Sequence, residues 1–202
     1  AVSPDADNML KITNEGRMIA LDPRIVNNLL PDVPDSRVSI VSRKIFDIWQ
    51  QTKDDRKTIA VFCDLSTPSA KSAEKGFCVY TDLRDKLIGL GIPEKEIAFI
   101  HDAKNAKQKE KMFERVNNGE IRVIMGSTSK MGAGTNIQKK LYALFHLDCP
   151  WRPSDLEQQE GRIERQGNGN DTVKIFTCIT EGTFDGYMYQ LIEAKQRVAA
   201  QI

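Results

Sequence analysis

Hydrophobic residues along this chain alternate between two rhythms. Val38, Val41, Ile45, Ile48 and Trp49 recur at helical spacing, with Ser36 or Asp35 available as the N-cap. Thr58 to Cys63 (TIAVFC) is instead a continuous apolar, β-rich run, as expected of a strand covered on both faces. The alternation then repeats. Val79, Leu83, Leu87 and Leu90 predict a helix closed by Gly89 and Gly91, and Ile97 to Ile100 a strand. Met112, Phe113 and Val116 set one face of a charged helix that ends at Asn118-Gly119. Strands follow over Ile121 to Met125, Leu141 to Leu147 and Val173 to Ile179, with a helix over Ser154 to Arg165 between the last two. An amphipathic helix capped by Thr183 closes the chain over 183–199. Strand–helix units of this length predict an α/β fold with a doubly wound, mainly parallel sheet. Residues 1–35, with four prolines and scattered apolar positions, read as a partly helical lead-in or linker rather than part of a core.

Composition narrows little. Twenty-nine basic and 28 acidic residues give a net charge of +1, so any basic surface has to be local. Cys63, Cys78, Cys149 and Cys178 lack C-x-x-C spacing and read as reduced thiols of a cytoplasmic protein. His101 and His146 lack partners at metal-binding spacing, so no metal site is expected. Neither a signal peptide nor a membrane-spanning run is visible, and the start Ala-Val-Ser-Pro reads as that of an excised piece.

Ligands of doubly wound sheets sit beyond the carboxyl ends of the strands. Three loops there carry unusual residues: Asp64 to Pro68, Gly126 to Asn136, and Asp148 to Pro153, which leads into Asp155 to Gly167. Arg162 and Arg165, three apart, would project from one helical face and together suit the three equatorial oxygens of a γ-phosphate. Gly132 and Gly134 allow a tight bend, and Asn136 offers an amide. Taken singly, each has a plainer explanation. Arginines among Glu157, Glu160 and Glu164 make a solvated face, glycines make turns, and the run Lys104, Lys107, Lys109 and Lys111, interleaved with Glu110 and Glu114, makes a solvated helix face. Trp151, between two prolines, reads as packing at the strand–helix corner.

The order and spacing of the loops together resemble the C-terminal lobe of superfamily 2 helicases, in their Swi/Snf-like branch, over residues 36 to 180. Gln158-x-x-Gly161-Arg162-x-x-Arg165 fits the Q-x-x-G-R-x-x-R motif VI, and Ser127-Thr128 through Gly134-Thr135-Asn136 looks like motif V. Thr58 to Thr67 looks like motif IV, and Asp148-x-x-Trp151-x-Pro153 like D-x-x-W-N-P with Arg152 in place of Asn. The resemblance implies a RecA-like lobe over 36–202. It implies arginine fingers at Arg162 and Arg165, ATP contacts from Gln158, Gly132, Gly134 and Asn136, and DNA phosphate contacts from Ser66, Thr67 and Thr128. It further implies that ATP and Mg²⁺ are held mainly by an N-terminal lobe in cis, because no G-x-x-x-x-G-K-[S/T] or Asp-Glu pair occurs here. The stretches His146 to Pro153 and Gly161 to Asn168 are similar to the helicase part of phage and mobile-element proteins that carry an N6-adenine methylase. Two rivals stand beside this reading. One is a binding module that kept the lobe and lost the chemistry. The other is an adenine methyltransferase, suggested by Asp148-Cys149-Pro150-Trp151, although Cys149 departs from D-P-P-W.

Overall fold

The computed structural model describes residues 9–68, 76–131 and 134–199. Five strands form one parallel sheet: β1 (Thr58–Phe62), β2 (Ile97–Phe99), β3 (Val123–Gly126), β4 (Leu141–His146) and β5 (Lys174–Thr177), in the order β2-β3-β1-β4-β5. The helices are α1 (Met9–Leu21), α2 (Arg37–Gln51), α3 (Val79–Leu90), α4 (Ala106–Asn117), the single turn α5 (Thr128–Met131), α6 (Pro153–Glu160) and α7 (Phe184–Ala199).

The period of two along the strands builds two cores. Ile59 and Val61 point into a cluster with Val123, Met125, Ala143 and Phe145, covered by Val38, Val41, Ile45 and Ile48 of α2 and Leu83 and Leu87 of α3. Ala60 and Phe62 face the other way and meet Ile124, Leu144, Phe113 and Val116 of α4, and Ile163. Helices on both faces of an all-parallel sheet explain why β1 is buried along its whole length. Ser36 caps α2 by accepting from the Ser39 N–H at 3.2 Å, and Gly91 (φ +115) ends α3.

Three readings of the sequence need adjustment. The first 35 residues contribute to the main core, since Leu21 and Ile25 belong to it. The helix expected to run to Arg165 ends at Glu160. Gly161 weakens its continuation, Ile163 is drawn fully into the second core, and the Asn168 side chain donates to the Ile163 carbonyl at 2.8 Å. Trp151 is 41 % exposed rather than packed in, with the Arg17 guanidinium 4.4 Å above its ring.

Buried arginines tie the ends of these elements together. Arg37 donates to the carbonyls of Leu147 (2.9 Å) and Ala20 (2.8 Å) and pairs with Asp185, joining α2, β4, α1 and α7. Arg122 fills the opposite end of the sheet, donating to the carbonyls of Lys57 (3.0 Å) and Trp49 (2.8 Å) and to Thr52 Oγ1 (2.8 Å). Its burial lowers the guanidinium pKa to about 10. Replacing Arg37 with Met should destabilise the chain by about 3–5 kcal/mol, because Asp185 would be left buried without its counter-charge. Urea unfolding of the variant checks this, and a loss below about 1 kcal/mol would contradict the role of Arg37 as a tie.

Candidate functional site

β1, β3 and β4 are adjacent in the sheet, so their carboxyl ends deliver Asp64, Thr128 and Asp148 to one place. Asp148, 3 % exposed, accepts from the backbone N–H of Asp64 (2.9 Å) and of Leu65 (2.6 Å). Burial, then the neighbouring Asp64 carboxylate, push its pKa up to about 7, against the two N–H donors that favour the ionised form. Asp64 in turn accepts from the Thr128 N–H (2.6 Å) and the Thr128 hydroxyl (2.7 Å). The Gln159 amide donates to the same hydroxyl at 2.6 Å, and its carbonyl end meets His146 Nδ1 at 2.5 Å. The Asp148 anchor thus meets a continuous run Asp64–Thr128–Gln159–His146, and it fixes all three loops.

Thr128, expected to touch DNA phosphate, therefore lies 7 % exposed with its hydroxyl already giving and receiving a hydrogen bond. Its neighbours Ser129 and Lys130 are the exposed residues of that turn. β3 can reach this turn only through glycine. A Cβ on Gly126 would come within 2.5 Å of Ile100 Cγ2 and 2.6 Å of Met131 Cγ. Ser66 sits in the left-handed region (φ +55), where its hydroxyl accepts from the Val79 N–H at 3.0 Å and fastens the β1 loop to the start of α3. Thr67 is half-buried on the same loop.

The second half of the site lies where the Gly134–Asn136 loop meets the turn after α6. Arg162 and Arg165 each donate to the Thr135 carbonyl at 3.4 Å, and Arg165 also donates to Asn136 Oδ1 at 2.6 Å. Arg162 is half-buried and Arg165 exposed. Burial, then the charge of Arg165, lower the Arg162 pKa, although the group stays cationic near neutrality. Arg162 Nε, Thr135 Oγ1 and Gln138 Oε1 are buried without a hydrogen-bond partner among the described residues. Asn117 holds the loop from below, donating to the Asn136 carbonyl at 2.7 Å. Gly134 (φ +67) has nothing within 4 Å of where a Cβ would stand, so glycine serves the bend there and not a close contact. Gln158 is half-buried, and Gly132 lies outside the described residues. The structure thus brings Arg162, Arg165 and Asn136 together, and Thr128 joins them only through Gln159. Gln159 and Asp64 were not foreseen as site residues. The signal available was an apolar β4 ending in His146, which, once buried, needs a polar partner.

Residues 41–167 match the helicase conserved C-terminal domain. The chain belongs to that family. It is a C-terminal helicase lobe of superfamily 2, and the Swi/Snf-like, RecA-like character of its motifs agrees with its relatives. An uncharacterized ATP-dependent helicase, YqhH of Bacillus subtilis, is 35 % identical over 77 residues, covering 38 % of this chain and 13 % of that protein. The defense against restriction protein B of Escherichia phage P1 is 26 % identical over 103 residues, 48 % of this chain and 4 % of that protein. The chain therefore matches only a small part of these relatives' length. Among solved structures, the C-terminal part of the Fun30 ATPase domain superposes with a TM-score of 0.58 at 14 % identity, covering 91 % of this chain and 53 % of that one. The helicase MrfA bound to DNA superposes with a TM-score of 0.52 at 15 % identity, covering 76 % of this chain and 20 % of that one. Both superpositions concern the fold. Among the described residues no helix is long and apolar enough to cross a membrane, and no three His, Cys, Asp or Glu side chains group as metal ligands.

Two outcomes follow from the network. Thr128→Val should cost about 1–3 kcal/mol, because Asp64 and Gln159 each lose a buried partner, whereas Thr128→Ser should stay within about 1 kcal/mol. Chemical denaturation of the two variants distinguishes them, and equal losses would contradict the hydroxyl's role. Asp148 supplies a pH dependence. Its folded pKa lies above the roughly 3.9 of an unfolded aspartate, so the folded state binds the extra proton. The stability this contributes is complete below about pH 4 and is lost as pH rises through about 7. The slope of stability between about pH 5 and 7 should therefore become less negative in Asp148→Asn; an unchanged slope would refute the shift.

Proposed function

We propose that this chain is the trigger half of a DNA-dependent ATPase motor, acting on ATP bound by a companion N-terminal lobe of the same polypeptide. The observation that carries the reading is the convergence of Arg162 and Arg165 on one neutral carbonyl, that of Thr135, beside the amide of Asn136. Two adjacent cations whose acceptors, the Thr135 carbonyl and the Asn136 amide oxygen, are both neutral attract an anion. Arg162 Nε and Thr135 Oγ1, buried and without a hydrogen-bond partner among the described residues, supply further polar capacity at that junction. A γ-phosphate, spreading charge over three oxygens in phosphoryl transfer, matches that donor set. Arg162 and Arg165 would act as arginine fingers, and Asn136, Gly134, Gly132 and Gln158 would border the nucleotide. Mg²⁺ and the phosphate cradle belong to the companion lobe, since neither a Walker A nor a Walker B sequence occurs in these 202 residues. On this reading the isolated chain does not hydrolyse ATP.

DNA would lie across the loops after β1 and β3. The hydroxyl of Thr128 is taken up internally, so the contacts to the phosphate backbone fall to Ser66, Thr67 and the surface that Thr128 orients, Ser129 and Lys130. Contacts of that kind read no sequence, as a motor moving along any duplex requires. We extend the proposal to the parent: a protein joining an N6-adenine methylase to this helicase. It rests on the stretches His146–Pro153 and Gly161–Asn168, with the phage relative as support.

Arg165→Ala in the full-length protein should lower DNA-stimulated ATP turnover by about 10³–10⁵-fold while leaving DNA affinity nearly unchanged. Steady-state ATPase assays with a DNA-binding titration check this, and unchanged turnover would remove the finger assignment and favour a binding module. DNA binding by the chain itself should be sequence-blind. With Lys130 as the one cation among these contacts, it should weaken roughly threefold between 50 and 200 mM salt. Fluorescence anisotropy at the two concentrations measures the slope, and a salt-insensitive footprint would contradict backbone binding.

A further inference from the structure

Gln159 occupies an unusual place among the site residues. Its side chain and its backbone hold different halves of the site. The amide donates to Thr128 Oγ1 at 2.6 Å, while the backbone carbonyl accepts from the Arg162 N–H at 3.1 Å and caps the turn that carries Arg162 and Arg165. The residue is 1 % exposed and sits in the last turn of α6. Its orientation follows from its partners. Asp64 presents carboxylate oxygens to both the N–H and the hydroxyl of Thr128, so that hydroxyl donates to Asp64 and must accept from Gln159. The Gln159 NH₂ therefore faces Thr128, its carbonyl oxygen faces His146, and His146 carries its proton on Nδ1. Nε2 faces Glu160 Oε1 at 3.3 Å, the residue next to Gln159 in the same turn, and that contact becomes a hydrogen bond when a proton sits on Nε2 as well or on the Glu160 carboxyl. The three hydrogen bonds from His146 Nδ1 through Gln159 and Thr128 to Asp64 thus all run in one direction.

We infer that Gln159 is a positioning residue that links the state of the β3 loop to the placement of Arg162. A rigid side-chain bridge at one end and a backbone hydrogen bond at the other mean that a displacement of Thr128 is passed to the arginine turn through one residue. Gln159 touches neither nucleotide nor DNA. Its effect is on where Arg162 stands when the strand is seated. This inference rests on the trigger reading proposed above.

The test uses the full-length protein with Gln159→Met, which keeps the length of the side chain and loses both hydrogen bonds, and Gln159→Glu, which can still accept from His146 and cannot donate to Thr128. Both variants should lower kcat at saturating DNA about tenfold, with KM for ATP and the DNA concentration for half-maximal stimulation each within about twofold of the parent, because an interaction made in the transition state is lost and binding is not. Thr128→Val combined with Gln159→Met should lose no more than the worse single variant, since the two remove the same hydrogen bond. Unchanged kcat in either Gln159 variant, or additive losses in the double variant, would overturn the link. If Gln159→Met does not fold, the Glu variant and the ring ¹⁵N shifts of His146 decide the matter. The wild-type chain should show the Nδ1–H form, and the Nε2–H form would overturn the assignment. Arg165→Ala measured alongside separates the two levels. Its retention of turnover would defeat the trigger reading, whereas its inactivity beside fully active Gln159 variants would defeat only the present inference.

Discussion

A parallel sheet sends the ends of neighbouring strands to the same edge, and here three of those ends carry groups that cannot be left unpaired in the interior. Asp64, Asp148 and His146 follow or end β1 and β4, with Thr128 after β3 and Gln159 from α6 closing the set. Desolvating a carboxylate or an imidazole without partners costs several kcal/mol, so the loops are obliged to take the one arrangement that satisfies all of them. Both the backbone path of the Asp64 loop and the seat of the arginine turn follow from that obligation. The apolar cores on either face set the sheet, and the polar run sets what the sheet presents.

Much of this fold was legible because its signals are local. Strands covered on both faces leave continuous apolar runs such as TIAVF, and α2 announces itself by Val38, Val41, Ile45 and Ile48 with Ser36 at its cap. What escaped was decided by tertiary packing. Leu21 and Ile25 look isolated among prolines, yet they enter the main core because Arg37 pulls the end of α1 against β4 through the Ala20 and Leu147 carbonyls. The early end of α6 depends on Ile163 being claimed by the second core, which no periodicity within the helix reveals.

The site divides in the same way. The pairing of Arg162 and Arg165 was readable from spacing, and it survives the loss of the expected helix because a turn of similar pitch keeps both guanidinium groups on the Thr135 side. The direction of Thr128 was not readable. A hydroxyl after a strand looks outward in a sequence, and the approach of Asp64 and Gln159 from other elements turns it in. Gln158 and Gln159 are adjacent and chemically identical, so only the burial of one distinguishes them.

The long 3.4 Å contacts from both guanidinium groups to the Thr135 carbonyl have a kinetic side. A partner that is neutral and held at such a distance can be surrendered to a stronger acceptor at small cost, whereas Arg165 keeps a second, short bond of 2.6 Å to Asn136 Oδ1. Had an aspartate stood there, the arginines would be parked too firmly to leave. The Thr135 carbonyl is thus a rest position of intermediate depth, from which a stronger acceptor can draw the Arg162 guanidinium.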